Sequence, residues 1–216
     1  MNTIAAVALA LALASAQTPT PGDSIWSWVD AAVDAEEDDR KEILRRVEAR
    51  VREELARDES SVDLRYALAV VLGARANTEG GQTKVRAASE LYEHLVVILN
   101  AEPGHVGARH LLGRLHAGVR RMGGMTRWIA TNLLGGRTLK AATWESAEVN
   151  LAFAEAQAPD VPDHHLQLAL LYRDTGRPEL AEAELQHVMA LQASSARDVA
   201  AHEEAGRVWA ALQEQD

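Results

Sequence analysis

The sequence contains no cysteine and one phenylalanine, and aromatic residues fill only 4% of its 216 positions. Without thiols there is no disulfide framework, thiolate zinc site, cysteine nucleophile or lipidated cysteine anchor. Scarce aromatics beside abundant alanine, leucine, arginine and glutamate argue against a β-sandwich and for helices. Positive charge is also short, 22 Lys+Arg against 32 Asp+Glu, for a formal net charge of -10. A surface that coats nucleic acid is thereby excluded, because phosphate binding needs clustered cations, and no nucleic-acid partner is expected. What is present is apolar material: 47% of the residues are hydrophobic, enough at this length for one buried core and against bulk disorder.

The first sixteen residues carry no charged side chain. Ile4 to Ala14 is otherwise all alanine, leucine and valine, and Ala14-Ser15-Ala16 supplies the small-x-small triplet of a secretory cleavage site. The run is too short to cross about 30 Å of hydrocarbon, so residues 1–16 read as a signal peptide and the mature protein as periplasmic or secreted. Residues 17–22, with Pro19 and Pro21, form a stiff spacer, and 23–216 is expected to be a single helical domain.

Along that domain apolar residues recur at three- and four-residue spacing. Ile25, Trp28, Val29, Ala32 and Val33 mark one amphipathic helix, and Leu44, Val47, Val51 and Leu55 mark the next. Six acids between Asp30 and Asp39 precede a basic run from Arg40 to Arg52, which reads as a solvated face held by i,i+4 pairs. A period of about 34 residues then organises the chain. From Pro162 it places Leu168-Ala169, Tyr172, Gly176, Ala181, Leu185, Val188 and Leu191 at the offsets of a helix-turn-helix unit. Gly176 ends the first helix and Pro178 opens the second. Earlier copies carry Leu68-Ala69 before Ala88 to Pro103, and Leu112-Gly113 before Ala147, Leu151, Ala154 and Pro159. Ser195 and Asp198 form a capping box opening a last helix.

These positions resemble the tetratricopeptide repeat, with His165 in place of its tryptophan and Ala193 in place of its terminal proline. The resemblance implies an all-α, tetratricopeptide-like helical-hairpin solenoid of three to four repeats, one of them enlarged, closed by a C-terminal capping helix. More narrowly, Leu112-Gly113-Arg114, Arg127-Trp128-Ile129-Ala130, Leu134-Gly135-Gly136 and Thr143-Trp144-Glu145 follow the order of the regulator-of-microtubule-dynamics-like group. That likeness implies a non-enzymatic interaction scaffold. Alanine- and arginine-rich composition with a signal peptide suggests a bacterial source, so the scaffold character carries over and the microtubule does not.

The enlarged repeat carries an insertion at about 117–142, where the charge balance inverts. Between Glu102 and Glu145 there is no acid, yet Arg109, Arg114, Arg120, Arg121, Arg127, Arg137 and Lys140 lie there. Met122, Met125, Trp128, Ile129 and Leu133 form a partly amphipathic stripe beside them. Two readings stand open. The arginines dock an anionic partner or membrane surface, or the segment is a lid that seals the core while its arginines pair with the chain's own acids.

No catalytic constellation emerges. His202-Glu203-Glu204 has Gly206 where a zinc protease needs histidine, Gly80-Gly81-Gln82-Thr83-Lys84 misplaces the phosphate-loop lysine, and no Gly-x-Ser-x-Gly occurs. Asp163-His164-His165 lacks accompanying aspartates, so no metal or cofactor is expected. His105, His110 and His116 cannot share a helix face at spacings of five and six and are expected at the surface or in the groove. The expected function is an exported scaffold binding a protein or peptide through its groove, the insertion, or both. The candidate contacts are His110, Arg114, Arg120, Arg121, Arg127, Trp128, Arg137, His165 and Arg173. An accessory component of an envelope solute-uptake assembly is the alternative, and an enzyme is not expected.

Overall fold

A computed structural model describes residues 24–34, 37–132 and 136–214. The proposed signal peptide and spacer lie outside them, as do Leu133, Leu134 and Gly135. Among the described residues there are ten α-helices and no strand. They are α1 (Ile25–Asp34), α2 (Glu37–Arg57), α3 (Val62–Thr78), α4 (Gly81–Ala101), α5 (Val106–Arg121), α6 (Gly124–Asn132), α7 (Trp144–Gln157), α8 (Pro162–Asp174), α9 (Pro178–Ala190) and α10 (Ala196–Gln213). A 3₁₀ turn, Arg137–Ala141, lies between α6 and α7.

Local chemistry starts and stops these helices. Ser61 and Thr143 cap α3 and α7 by accepting the amides of Leu64 and Ser146 at 3.2 and 3.0 Å. The Ser195–Asp198 capping box is present at α10 in both directions. Pro162 and Pro178 sit in the first turns of α8 and α9, and Gly176 takes φ 72° in the turn between them. Helix α4 begins at Gly81, ahead of the repeat positions from Ala88, and Val85 and Ala87 also face the core.

Helices pair as antiparallel hairpins, α3 with α4, α5 with α7, and α8 with α9, while α2 packs on α3 and α10 covers both α8 and α9. Neighbouring hairpins stack through α4 on α5 and α7 on α8, so the architecture is an all-α helical-hairpin solenoid. No hairpin covers its own apolar face. Leu44, Val47, Val51, Leu68, Leu72, Leu95 and Ile98 form one continuous core from α2 to α5, and Leu185, Val188, Ala205 and Val208 form another under α10. Ala117, Ala147, Leu151, Leu168 and Leu171 join α5, α7 and α8. Each fully buried leucine contributes about 1.5–3 kcal/mol.

The acidic and basic runs around α2 pair largely within that helix, as Glu42–Arg46 at 2.9 Å and Arg50–Glu54 at 2.6 Å. Glu48 departs from the solvated pattern. It is buried, accepts Arg52 from its own helix and Arg75 from α3, and Arg52 reaches on to Glu90 of α4 at 2.6 Å. The insertion is also shorter than expected: Ala117 and Val119 are buried, so α5 continues to Arg121 and the added elements are α6 and the 3₁₀ turn.

Gly113 marks a tight crossing of α5 on α7. A Cβ there would stand 2.6 Å from Leu151 Cγ and 3.0 Å from the Ala147 carbonyl oxygen. Gly118, five residues on, has open space. Gly113→Ala should therefore destabilise the protein by about 1–3 kcal/mol in urea unfolding. Gly118→Ala should leave it unchanged or raise it by up to about 1 kcal/mol. Equal effects would contradict the tight crossing.

Candidate binding groove

Helices α3, α5 and α8 touch in succession along one side of the stack and build a cavity of about 560 Å³. Its floor is apolar, with Val70 and Ala74 of α3, Val85 of α4, and Leu111, Leu115 and Val119 of α5. Lys84, Arg114, Arg121 and Arg197 supply cations, and Asp163 is the one acid lining it among the described residues. A second cavity of about 480 Å³ continues from it toward α10 and shares Arg114, Asp163, Gln167 and Arg197. Arg197 also pairs with Asp30 of α1 at 2.6 Å, joining residues 167 apart across the ends of the stack.

Asp163 is the hub. Its carboxylate accepts His110 Nε2 at 2.9 Å, Arg114 at 3.0 Å and Gln167 Nε2 at 2.9 Å. Burial opposes its ionisation, but Arg114 and the donors of His110 and Gln167 outweigh that and hold the carboxyl well below the usual carboxylate range. His110 Nδ1 remains buried without a partner. The His110 ring tilts against His164 with centroids 4.7 Å apart. His164 bonds the Ala158 carbonyl through Nδ1, and burial, with His110 adding to it, pushes its pKa down to about 4.

Asp163, His164 and His165 thus point three ways, as the helical rotation of about 100° per residue requires. His165 differs from expectation. It is enclosed between α8 and α9, with Nε2 on the Pro159 carbonyl, and does not line the groove. Arg173 bonds its neighbour Asp174 and also lies outside the groove lining. His105 caps α5 by accepting the Ala108 amide at 3.1 Å, and His116 is buried against Tyr92, where burial lowers its pKa. Neither His110 nor His116 is a surface residue.

The cations and the apolar stripe of the acid-free segment behave differently. Arg114 and Arg121 meet distant acids, Asp163 and Asp174. Arg109 bonds Asn150 and the Pro103 carbonyl, Lys140 bonds Asn132, and Arg127 bonds the Arg120 and Met122 carbonyls at the end of α5. The cations are thus largely occupied from within, as a lid requires. The apolar stripe behaves otherwise. Leu139, Ala130 and Thr131 are buried, but Met125 and Trp128 are 73% and 54% exposed, with Ile129 beside them. Arg120, Arg127, Trp128 and Lys140 border a shallow cavity of about 360 Å³ beside this stripe. Arg137 belongs to the 3₁₀ turn, and its side chain lies outside the described residues.

Sequence reasoning found His110 and Arg114, one turn apart on α5, but missed Asp163, Gln167, Lys84 and Arg197. Asp163 and Gln167 are also one turn apart, and that matching i,i+4 spacing is the only local signal for their pairing.

A stacked-hairpin protein with a cationic, apolar-floored groove is the class these features define. The chain matches the regulator of microtubule dynamics protein 1-3 family over residues 27–213 and belongs to it. No curated protein matches the chain.

Protonation gives one test. The unfolded chain binds a proton at His164 near its ordinary value of 6.5 and the folded chain only near 4, so folding loses stability as pH falls between them. Asp163, whose carboxyl is depressed in the folded state, adds a further loss below about pH 4. Urea midpoints should fall across this range, and His164→Asn should flatten the upper part; an unchanged slope would refute the assignment. The insertion gives another. Arg127→Ala should cost about 1–2 kcal/mol by stripping the carbonyls of α5, whereas Trp128→Ala should stay within about 0.5 kcal/mol.

Proposed function

We propose that this protein is a non-enzymatic scaffold of tetratricopeptide type, exported to the cell envelope, whose groove binds a partner segment carrying apolar and acidic side chains. The observation that carries this reading is the groove's composition, an apolar floor with cations at its edge. The Lys84 side chain makes no ion pair or hydrogen bond among the described residues. Asp163, which lines the cavity, already accepts three donors. Stacked first helices present such a surface continuously, which suits an extended or helical peptide. Export rests on the sequence of residues 1–16. From the family we take the scaffold and leave the microtubule aside, since an exported bacterial protein meets none.

Catalysis is not part of the proposal: the Asp163 carboxylate already accepts His110, Arg114 and Gln167. The outward Met125, Trp128 and Ile129 stripe provides a second contact surface, suited to the partner's apolar side or to peripheral contact with a membrane.

The apolar floor also favours a second reading, a solute-uptake accessory that holds a small apolar ligand. One experiment separates them. A fluorescein-labelled peptide of alternating Glu and Leu should bind saturably in anisotropy titrations and weaken with salt, and Lys84→Glu should raise Kd about tenfold, or 1.4 kcal/mol. An unchanged Kd together with a small apolar molecule found by native mass spectrometry would favour the uptake reading.

A further inference from the structure

Away from the groove, side chains that ligate metals converge where α8 and α9 lie alongside each other. His165 stands in the first turn of α8, and Glu184 and His187 are three residues apart on α9. The antiparallel hairpin brings them together at the end remote from the Gly176 turn. His165 Nδ1 lies 2.7 Å from Glu184 Oε2, and His187 Nδ1 lies 3.8 Å from the same oxygen. Ligand atoms of all three groups fall within 4.8 Å of one another. The imidazole rings meet edge to face with centroids 5.0 Å apart. Behind His165, Nε2 holds the Pro159 carbonyl at 2.7 Å. One ring nitrogen anchored on a carbonyl, with the other turned to a shared centre, is the outer-shell arrangement of metal-ligating histidines.

We propose that His165, Glu184 and His187 bind a divalent transition-metal ion of the zinc type, with its remaining position open to water. Two imidazole nitrogens and one carboxylate oxygen suit zinc, whereas magnesium and calcium require mostly oxygen ligands. A tetrahedral ion with bonds of about 2.0–2.1 Å needs its ligand atoms about 3.3 Å apart. The 2.7 and 3.8 Å spacings to the Glu184 oxygen bracket that value. The His165 and Glu184 side chains are 4% and 17% exposed and already held in place, while His187, 63% exposed, is free to complete the site. The ion takes the place of the proton shared by His165 and Glu184, which passes to solvent. Bound there, it ties the open end of the α8–α9 hairpin, the hairpin that α10 covers.

Calorimetric titration of the chelator-treated full chain with zinc chloride should show one saturable site per chain, and magnesium chloride should give none. Cobalt(II) in place of zinc should produce visible ligand-field absorption. At about a hundredfold excess over Kd, zinc should raise the melting temperature by about 5–10 °C. His187→Ala should abolish binding, absorption and the melting shift while leaving the metal-free melting temperature unchanged, because that side chain is exposed. Glu184→Gln should weaken binding at least about tenfold. Absence of a saturable site, or zinc binding undiminished in His187→Ala, would overturn the proposal. Neither result bears on peptide binding in the groove, which the Glu-Leu peptide reads separately.

Discussion

Each hairpin in this protein leaves an apolar face that only the next hairpin can cover, and the stack depends on helices that cross closely enough for that cover to exclude water. The α5–α7 crossing is one such close approach. Gly113 lies against Leu151 and the Ala147 carbonyl with no room for a methyl group, while Ala169 and Ala181 are fully buried in the next hairpin. Small residues at these points set the helix separation, and leucines elsewhere fill the volume that remains. The two larger core clusters meet through Leu151, Leu168 and Leu171, so the groove-lining helices α5 and α8 are held in register by packing before any charge contributes.

Charge then acts on a scaffold that is already placed. Asp163 draws His110 and Arg114 from α5 and Gln167 from its own helix, joining two repeats across the groove. Its position in the first turn of α8 places the carboxylate at the positive end of the helix dipole, which favours ionisation further. At the far side of the same junction Arg177 grips Glu148 with two bonds of 2.9 Å and stacks over Tyr172 at 4.6 Å, so α7 and the α8–α9 turn are tied independently. The groove is therefore bounded by ionic contacts on a hydrophobic base. That division gives a fixed apolar floor beneath a rim whose unpaired cation, Lys84, is available to a partner.

The helices and their ends were largely legible from residues close in sequence. The capping box at Ser195 and the turn at Gly176 with Pro178 behind it follow from pattern and residue type. The insertion was legible only in part. Its missing acids show that its arginines lack local partners, yet Asp163 and Asp174 lie 49 and 53 residues from Arg114 and Arg121. Whether the amphipathic stripe of α6 covers the core or turns outward was open from the sequence. The buried positions are Ala130 and Thr131, leaving Met125 and Trp128 outward. Histidine was the least legible residue, since one chain uses it as a cap at 105, a groove donor at 110 and an interhelical contact at 165.

By itself the sequence determined the helical class, the hairpin period, the helix ends and the concentration of positive charge in one segment. Each of these depends on neighbours within a turn or two, where spacing alone dictates geometry. Tertiary structure decided which acid meets which arginine, which face of α6 is exposed, and that Asp163, His164 and His165 serve three different surroundings. Those outcomes depend on helices brought together by burial of nonlocal leucines, and side chains tens of residues apart become partners only after that burial has set the distance between them.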